Sequence, residues 1–88
     1  MIRVLIAEDA HLIRRALVAL LSLEDDIEVV AELERGDTIM ESALRTHPDV
    51  AVLDIDLPGI DGLTAAEALH QRLPECRTLV LTGFSQPG

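Results

Sequence analysis

The run Val50-Ala51-Val52-Leu53-Asp54-Ile55-Asp56-Leu57-Pro58-Gly59-Ile60-Asp61-Gly62 decides the fold. Its first four residues are continuously apolar, as a parallel strand covered on both faces should be. The strand breaks off at an acid. Pro58-Gly59 then makes a turn, and Asp61-Gly62 opens a segment with helical spacing. The unit is strand, loop, helix.

Outward from this run the same alternation recurs. Strands are expected at Ile2–Ala7, Ile27–Leu33, Val50–Asp54 and Thr78–Thr82, each rich in Val, Ile and Leu and each ending at polar or turn residues. Three helices are expected between them. His11–Leu23 places Ile13, Ala16, Leu17, Leu20 and Leu21 on one face and Arg14, Arg15 and Ser22 on the other. Asp37–Thr46 opens with Thr38 and Glu41 at capping-box spacing and carries the stripe Met40, Ala43, Leu44. Leu63–Leu73 opens with Thr64 and Glu67 at the same spacing and turns Ala65, Ala66, Leu69 and Leu73 inward. Pro74 stops it.

A β-α-β-α-β-α-β chain reads as an α/β fold, because parallel neighbours need a crossover between them. The strand Ile27–Leu33 partly alternates polar and apolar residues, which suits a sheet edge. No linker or low-complexity stretch interrupts the chain, so residues 1–88 are expected to form one domain.

Composition narrows the function. Of 88 residues, 49% are apolar, enough for a core; at this size folding removes only about 60–65% of the unfolded chain's surface. Seven cations, all Arg, face sixteen acids for a net charge of −9. That balance argues against nucleic-acid binding by this chain and against an anionic membrane surface. The single Cys76 excludes an internal disulfide framework and fits a reducing compartment. Glu8 and Asp9 interrupt the apolar start, so neither a signal peptide nor a membrane span is expected. A cytoplasmic domain is the expectation.

Three acids fall just beyond strands: Glu8 and Asp9 after the first, Asp54 at the end of the third. In an open α/β sheet, ligands bind past the carboxyl ends of the strands where the strand order reverses. An order of 2-1-3-4 makes the first and third strands neighbours and brings the three acids together. A single acid there would read as a solvated loop residue. Three converging carboxylates repel one another unless a cation neutralises them. An all-oxygen set suits Mg²⁺, completed by water and phosphate.

Glu8-Asp9, Asp54, the Pro58-Gly59…Asp61-Gly62 loop and Thr82 at the end of the fourth strand together resemble a two-component response-regulator receiver domain. The resemblance runs from Met1 to about Gly83. The runs Val4–Asp9 and Ile27–Glu32 are similar to regulators that carry a LuxR-type helix-turn-helix DNA-binding domain. The resemblance implies a flavodoxin-like doubly wound sheet. It implies a phosphoacceptor at Asp54, fed by a sensor histidine kinase. Mg²⁺ would be held by Asp9, Asp54 and the backbone carbonyl of Asp56, with Glu8 acting through water. Thr82 would bond a phosphoryl oxygen, and the Asp56 side chain would tune attack by water. Such a domain assists its own phosphorylation and dephosphorylation but is not a turnover enzyme.

The departures are equally specific. A receiver of this kind has a further helix, strand and helix, about 35 residues. The family's phosphoryl-pairing Lys has no counterpart, since the chain contains no Lys, and Phe84 sits in the wrong place for the switch aromatic. The expectation is therefore a truncated receiver without its output face or DNA-binding domain. Its fourth strand would be an open apolar edge prone to self-association or element swapping.

Two other functions compete. A binding-only remnant would take up metal or kinase without switching. Asp54-Ile55-Asp56 also matches the D-x-D of haloacid-dehalogenase-type phosphatases, which would leave Glu8-Asp9 without a role. His11, His47 and His70 are dispersed, without metal-ligand spacing, and are expected at the surface or in loops. Cys76 is expected in a loop, and the Arg14-Arg15 pair on a solvated helix face.

Overall fold

A computed structural model describes residues 1–82; Phe84 lies outside the described residues. The elements are β1 (Ile2–Ala7), α1 (His11–Ser22), β2 (Ile27–Leu33), a 3₁₀ turn (Gly36–Thr38), α2 (Ile39–Thr46), β3 (Val50–Asp54), α3 (Gly62–Arg72) and β4 (Arg77–Leu81). The strands form one parallel sheet in the order β2-β1-β3-β4. That is the expected 2-1-3-4 topology, with β1 and β3 adjacent.

The sheet is buried on both faces along its centre. Leu5, Ala7, Ala51 and Leu53 pack with Ile39 and Ala43 of α2 and with Ala65, Ala66 and Leu69 of α3. Side chains alternate across a strand. Val4 and Ile6, also buried, therefore face the other side, where α1 lies against β1 and β2. This double burial is why the central strands read as continuous apolar runs. Burying one Leu or Ile contributes roughly 1.5–3 kcal/mol, so the central strands dominate the stability of so small a domain.

The helix starts differ from expectation. Thr38 does not cap α2; its hydroxyl donates to the Arg35 carbonyl at 2.9 Å, and the chain enters α2 through the 3₁₀ turn. Ile39, Ser42 and Ala43 are the buried residues of α2, while Leu44 is exposed. At α3 the N-cap is Asp61, whose Oδ1 accepts from the Thr64 backbone N–H at 2.8 Å. A carboxylate at the last non-helical position satisfies one of the first-turn amides directly, so the Thr64–Glu67 box is not used. The pairing holds the Asp61 carboxyl below the usual range.

In α1, Arg14 is the buried residue, whereas Ala16 and Leu20 are exposed. The expected solvated Arg14-Arg15 face is therefore corrected at Arg14. Arg15 is exposed and pairs with Glu32 of β2 at 2.7 Å. β4 runs Arg77–Leu81, one residue earlier than expected at each end, and leaves Thr82 just past it. Among the described residues β4 has one sheet neighbour, β3, and Leu79 is 57% exposed.

Candidate functional site

β1 and β3 run parallel, with Ala7 opposite Leu53. Both strands deliver the next residue to the same end of the sheet. Glu8 and Asp54 are each nearly fully buried there, and Asp9 is exposed beside them. One oxygen from each of the three carboxylates lies within 4.8 Å of the others.

Glu8 is held on both sides of its peptide. Its N–H donates to the Leu33 carbonyl at 2.9 Å, and its own carbonyl accepts from Arg14 Nη1 at 2.7 Å. Its side chain is half satisfied. Oε2 accepts from the Ala10 N–H at 2.9 Å, while Oε1 is buried with no hydrogen-bond partner among the described residues. Burial, and then the charge of Asp54, push the Glu8 carboxyl above its usual range; the Ala10 amide opposes this. Buried polar atoms are rarely left without a partner, so an orphan at a functional end of the sheet calls for an explanation.

Asp54 Oδ1 accepts a long 3.4 Å bond from the Asp56 N–H. Asp56 itself is exposed. Thr82 is exposed and follows Leu81, which is in register with Asp54 and accepts from the Ile55 N–H at 3.0 Å. The β4 register thus places Thr82 next to the end of β3. Gly62 closes the far side of the β3–α3 loop: its N–H donates to the Ile55 carbonyl at 3.0 Å, and a Cβ there would stand 2.1 Å from the Asp54 carbonyl oxygen.

Sequence reasoning missed Arg14. Apolar periodicity counts Arg as a surface residue. The signal was its position in the first turn of α1, since long helical side chains lean back toward the N-terminus, here toward Glu8. Arg14 Nη2 also lies 3.1 Å from His11 Nδ1, which gives His11 a specific neighbour. His47 caps the C-terminus of α2 with φ 50°, and His70 is an exposed residue of α3. Cys76 is buried in the core; burial, and then the charge of Asp49, push its thiol up, which disfavours the reactive thiolate.

The donor set fits a hard divalent cation: three carboxylates, no nitrogen or sulfur, and one buried oxygen in need of a partner.

The comparisons with known proteins agree with this geometry. The response regulator receiver domain model matches residues 4–88, and the chain belongs to that family. The chain is 42% identical to the transcriptional regulatory protein DesR of Bacillus subtilis over 88 residues, covering all of this chain and 43% of that protein. It therefore spans less than half the length of that relative. A DNA-binding response regulator of the LuxR family from Staphylococcus aureus superimposes with a TM-score of 0.88 at 31% identity, over 100% of this chain and 73% of the other. The response regulator TrrA of Thermotoga maritima, solved in complex with Mg²⁺-BeF, superimposes with a TM-score of 0.85 at 28% identity, over 97% and 72% of the two chains. The fold is thus the flavodoxin-like receiver fold, and the relatives include transcriptional regulators and a LuxR-family response regulator.

Proposed function

We propose that this receiver accepts a phosphoryl group on Asp54 and that Mg²⁺ supports the transfer. The observation that carries the reading is the buried Glu8 oxygen, without a hydrogen-bond partner among the described residues, beside buried Asp54. Asp9, Asp54 and the backbone carbonyl of Asp56 would hold the cation, with Glu8 acting through water. The cation would offset negative charge on the transferring phosphoryl group.

The chain's own residues do the rest. An Asp54 carboxylate oxygen attacks phosphorus as the bond to the donor breaks, and an aspartyl phosphate results. The donor would be a phosphohistidine of a sensor histidine kinase; its P–N bond breaks and the imidazole leaves. The Thr82 hydroxyl would donate to a phosphoryl oxygen. The Asp56 side chain would tune the approach of water in the reverse hydrolysis.

Residues 1–88 serve in this reading as one receiver domain that signals and does not turn over a substrate. In the longer protein it would control a DNA-binding domain in the cytoplasm. Related chains include protein-glutamate methylesterases as well as transcriptional regulators, so the attached output is a separate question from receiver chemistry. The exposed β4 edge, with Leu79 outward, supports self-association or swapping of this chain. Among the described residues, no helix is long and apolar enough to cross a membrane.

The test is intact mass after incubation with a small phosphodonor and Mg²⁺. One phosphoryl group should be added, and it should be absent in Asp54→Asn and without Mg²⁺. No gain, with Mg²⁺ still bound, would favour the binding-only remnant. The D-x-D phosphatase reading is separated by Asp56→Ala, which abolishes a phosphatase and only changes the dephosphorylation rate of a receiver.

A further inference from the structure

The β2–α2 turn touches the β3–α3 loop more closely than packing alone requires. The Gly36 N–H donates to the Pro58 carbonyl at 2.9 Å, backbone to backbone. A Cβ on Gly36 would stand 1.5 Å from the Ile60 carbonyl oxygen and 2.6 Å from its carbon. Only glycine lets the two chains meet there, since both obstructing atoms are backbone.

A second contact flanks the first. Arg35 Nε and Nη2 grip Asp37 Oδ1 and Oδ2 at 2.9 and 3.1 Å, a two-bond fork. That ion pair lies over Gly59, whose φ is +86°. A Cβ on Gly59 would stand 2.8 Å from Asp37 Cγ and 3.0 Å from Arg35 Nη2. The turn therefore contacts the loop at Pro58, Gly59 and Ile60, just beyond Asp56.

We infer that the β2–α2 turn is a brace for the β3–α3 loop, with Gly36, Arg35 and Asp37 acting as positioning residues that place the Asp56 backbone for the cation. The inference rests on the metal reading above. Carboxylates on β-strand ends are fixed by the sheet, whereas a backbone carbonyl on a loop is only as well placed as the loop. Mg²⁺ demands near-ideal octahedral geometry, and Ca²⁺ tolerates irregular sites. A slack loop should thus cost Mg²⁺ affinity more than Ca²⁺ affinity, whereas general destabilisation would reduce both alike.

The experiment titrates Mg²⁺ and Ca²⁺ separately into the parent chain, Gly36→Ala, Asp37→Ala and Glu8→Gln, with circular dichroism to confirm folding. Gly36→Ala is expected to lose about tenfold in Mg²⁺ affinity, the size usual for outer supports of metal sites, and much less for Ca²⁺. Asp37→Ala, on an exposed pair that does not threaten folding, is expected to show a smaller shift of the same selectivity. It decides the matter if Gly36→Ala fails to fold. Unchanged Mg²⁺ affinity, or equal losses for both ions, overturns the brace. Parent chain that binds no Mg²⁺, or Glu8→Gln that binds it undiminished, overturns the metal reading instead. The brace is then decided by amide exchange at residues 55–60, which speeds up in the turn variants if the turn holds the loop and is unchanged if it does not.

Discussion

Arg14 donates a hydrogen bond to the Glu8 carbonyl at 2.7 Å from a side chain that is only 7% exposed. A buried guanidinium is thus spent on the backbone of an acid-site residue, with no carboxylate within ion-pair distance among the described residues. Arg14→Met keeps much of the apolar stem and removes the donor. Hydrogen bonds from charged groups contribute about 1.5–3 kcal/mol, and the variant should lose a comparable amount in urea unfolding. Arg14→Lys should recover only part of it, because one ammonium cannot reproduce the planar fork. Unfolding of Arg14→Met at the parent's urea midpoint would refute a positioning role.

The Glu8 carboxyl gives a pH signature with a definite sign. Its folded-state pKa lies above the unfolded value, through burial and then Asp54. The folded state therefore binds the proton more tightly, and ionised Glu8 destabilises the fold at neutral pH. That penalty is relieved as pH falls through the folded pKa toward the ordinary carboxylate range. Without divalent cations, Glu8→Gln should melt higher than the parent at neutral pH, and the gap should close as pH falls into the ordinary carboxylate range. With Mg²⁺ the difference at neutral pH should shrink or reverse, since the parent gains more binding energy than the variant. Parallel melting curves across that range would count against the assignment.

Gly62→Ala sets two effects against each other. Alanine within a helix is favoured over glycine by roughly 0.5–1 kcal/mol. The new methyl would lie 2.1 Å from the Asp54 carbonyl oxygen and 2.8 Å from its carbon, both backbone atoms. Overpacking of this kind costs about 1–3 kcal/mol or more, so the steric term wins. The variant should show a lower thermal midpoint and weaker Mg²⁺ binding. A raised midpoint would show that the end of β3 yields more easily than its packing indicates.

Leu79 tests the sheet edge. It is 57% exposed on a strand with one neighbour among the described residues. Leu79→Glu places a charge on that edge, which discourages strand pairing between copies. Light scattering at rising concentration should show association of the parent chain and less of it in the variant. A parent that stays a monodisperse monomer at high concentration would end the self-association proposal.

Much of this was legible in the residues. β1, β2 and β3 occupy their expected ranges because the central strands β1 and β3 leave apolar runs bounded by polar residues, and the edge strand β2 leaves a partly alternating one. The acid positions followed from the same runs, since Glu8, Asp9 and Asp54 are simply the first polar residues past each strand or at its end. Helix faces were less legible. Leu20 counts as core by hydrophobicity yet is 63% exposed, and Arg14 counts as surface yet is buried. Which flank of α1 meets the sheet depends on where β1 and β2 lie, and apolar spacing alone did not decide it.

The sequence by itself determined the alternation of strand and helix, the acids at the strand ends and the family resemblance, because each depends on local residue order. Tertiary structure alone decided that Glu8 would have a buried oxygen with no partner among the described residues, that Arg14 would turn inward, and that Gly36 would meet Ile60 backbone to backbone. Those three depend on distances between segments far apart in the chain. Such distances are set only when the sheet order and register bring the segments together.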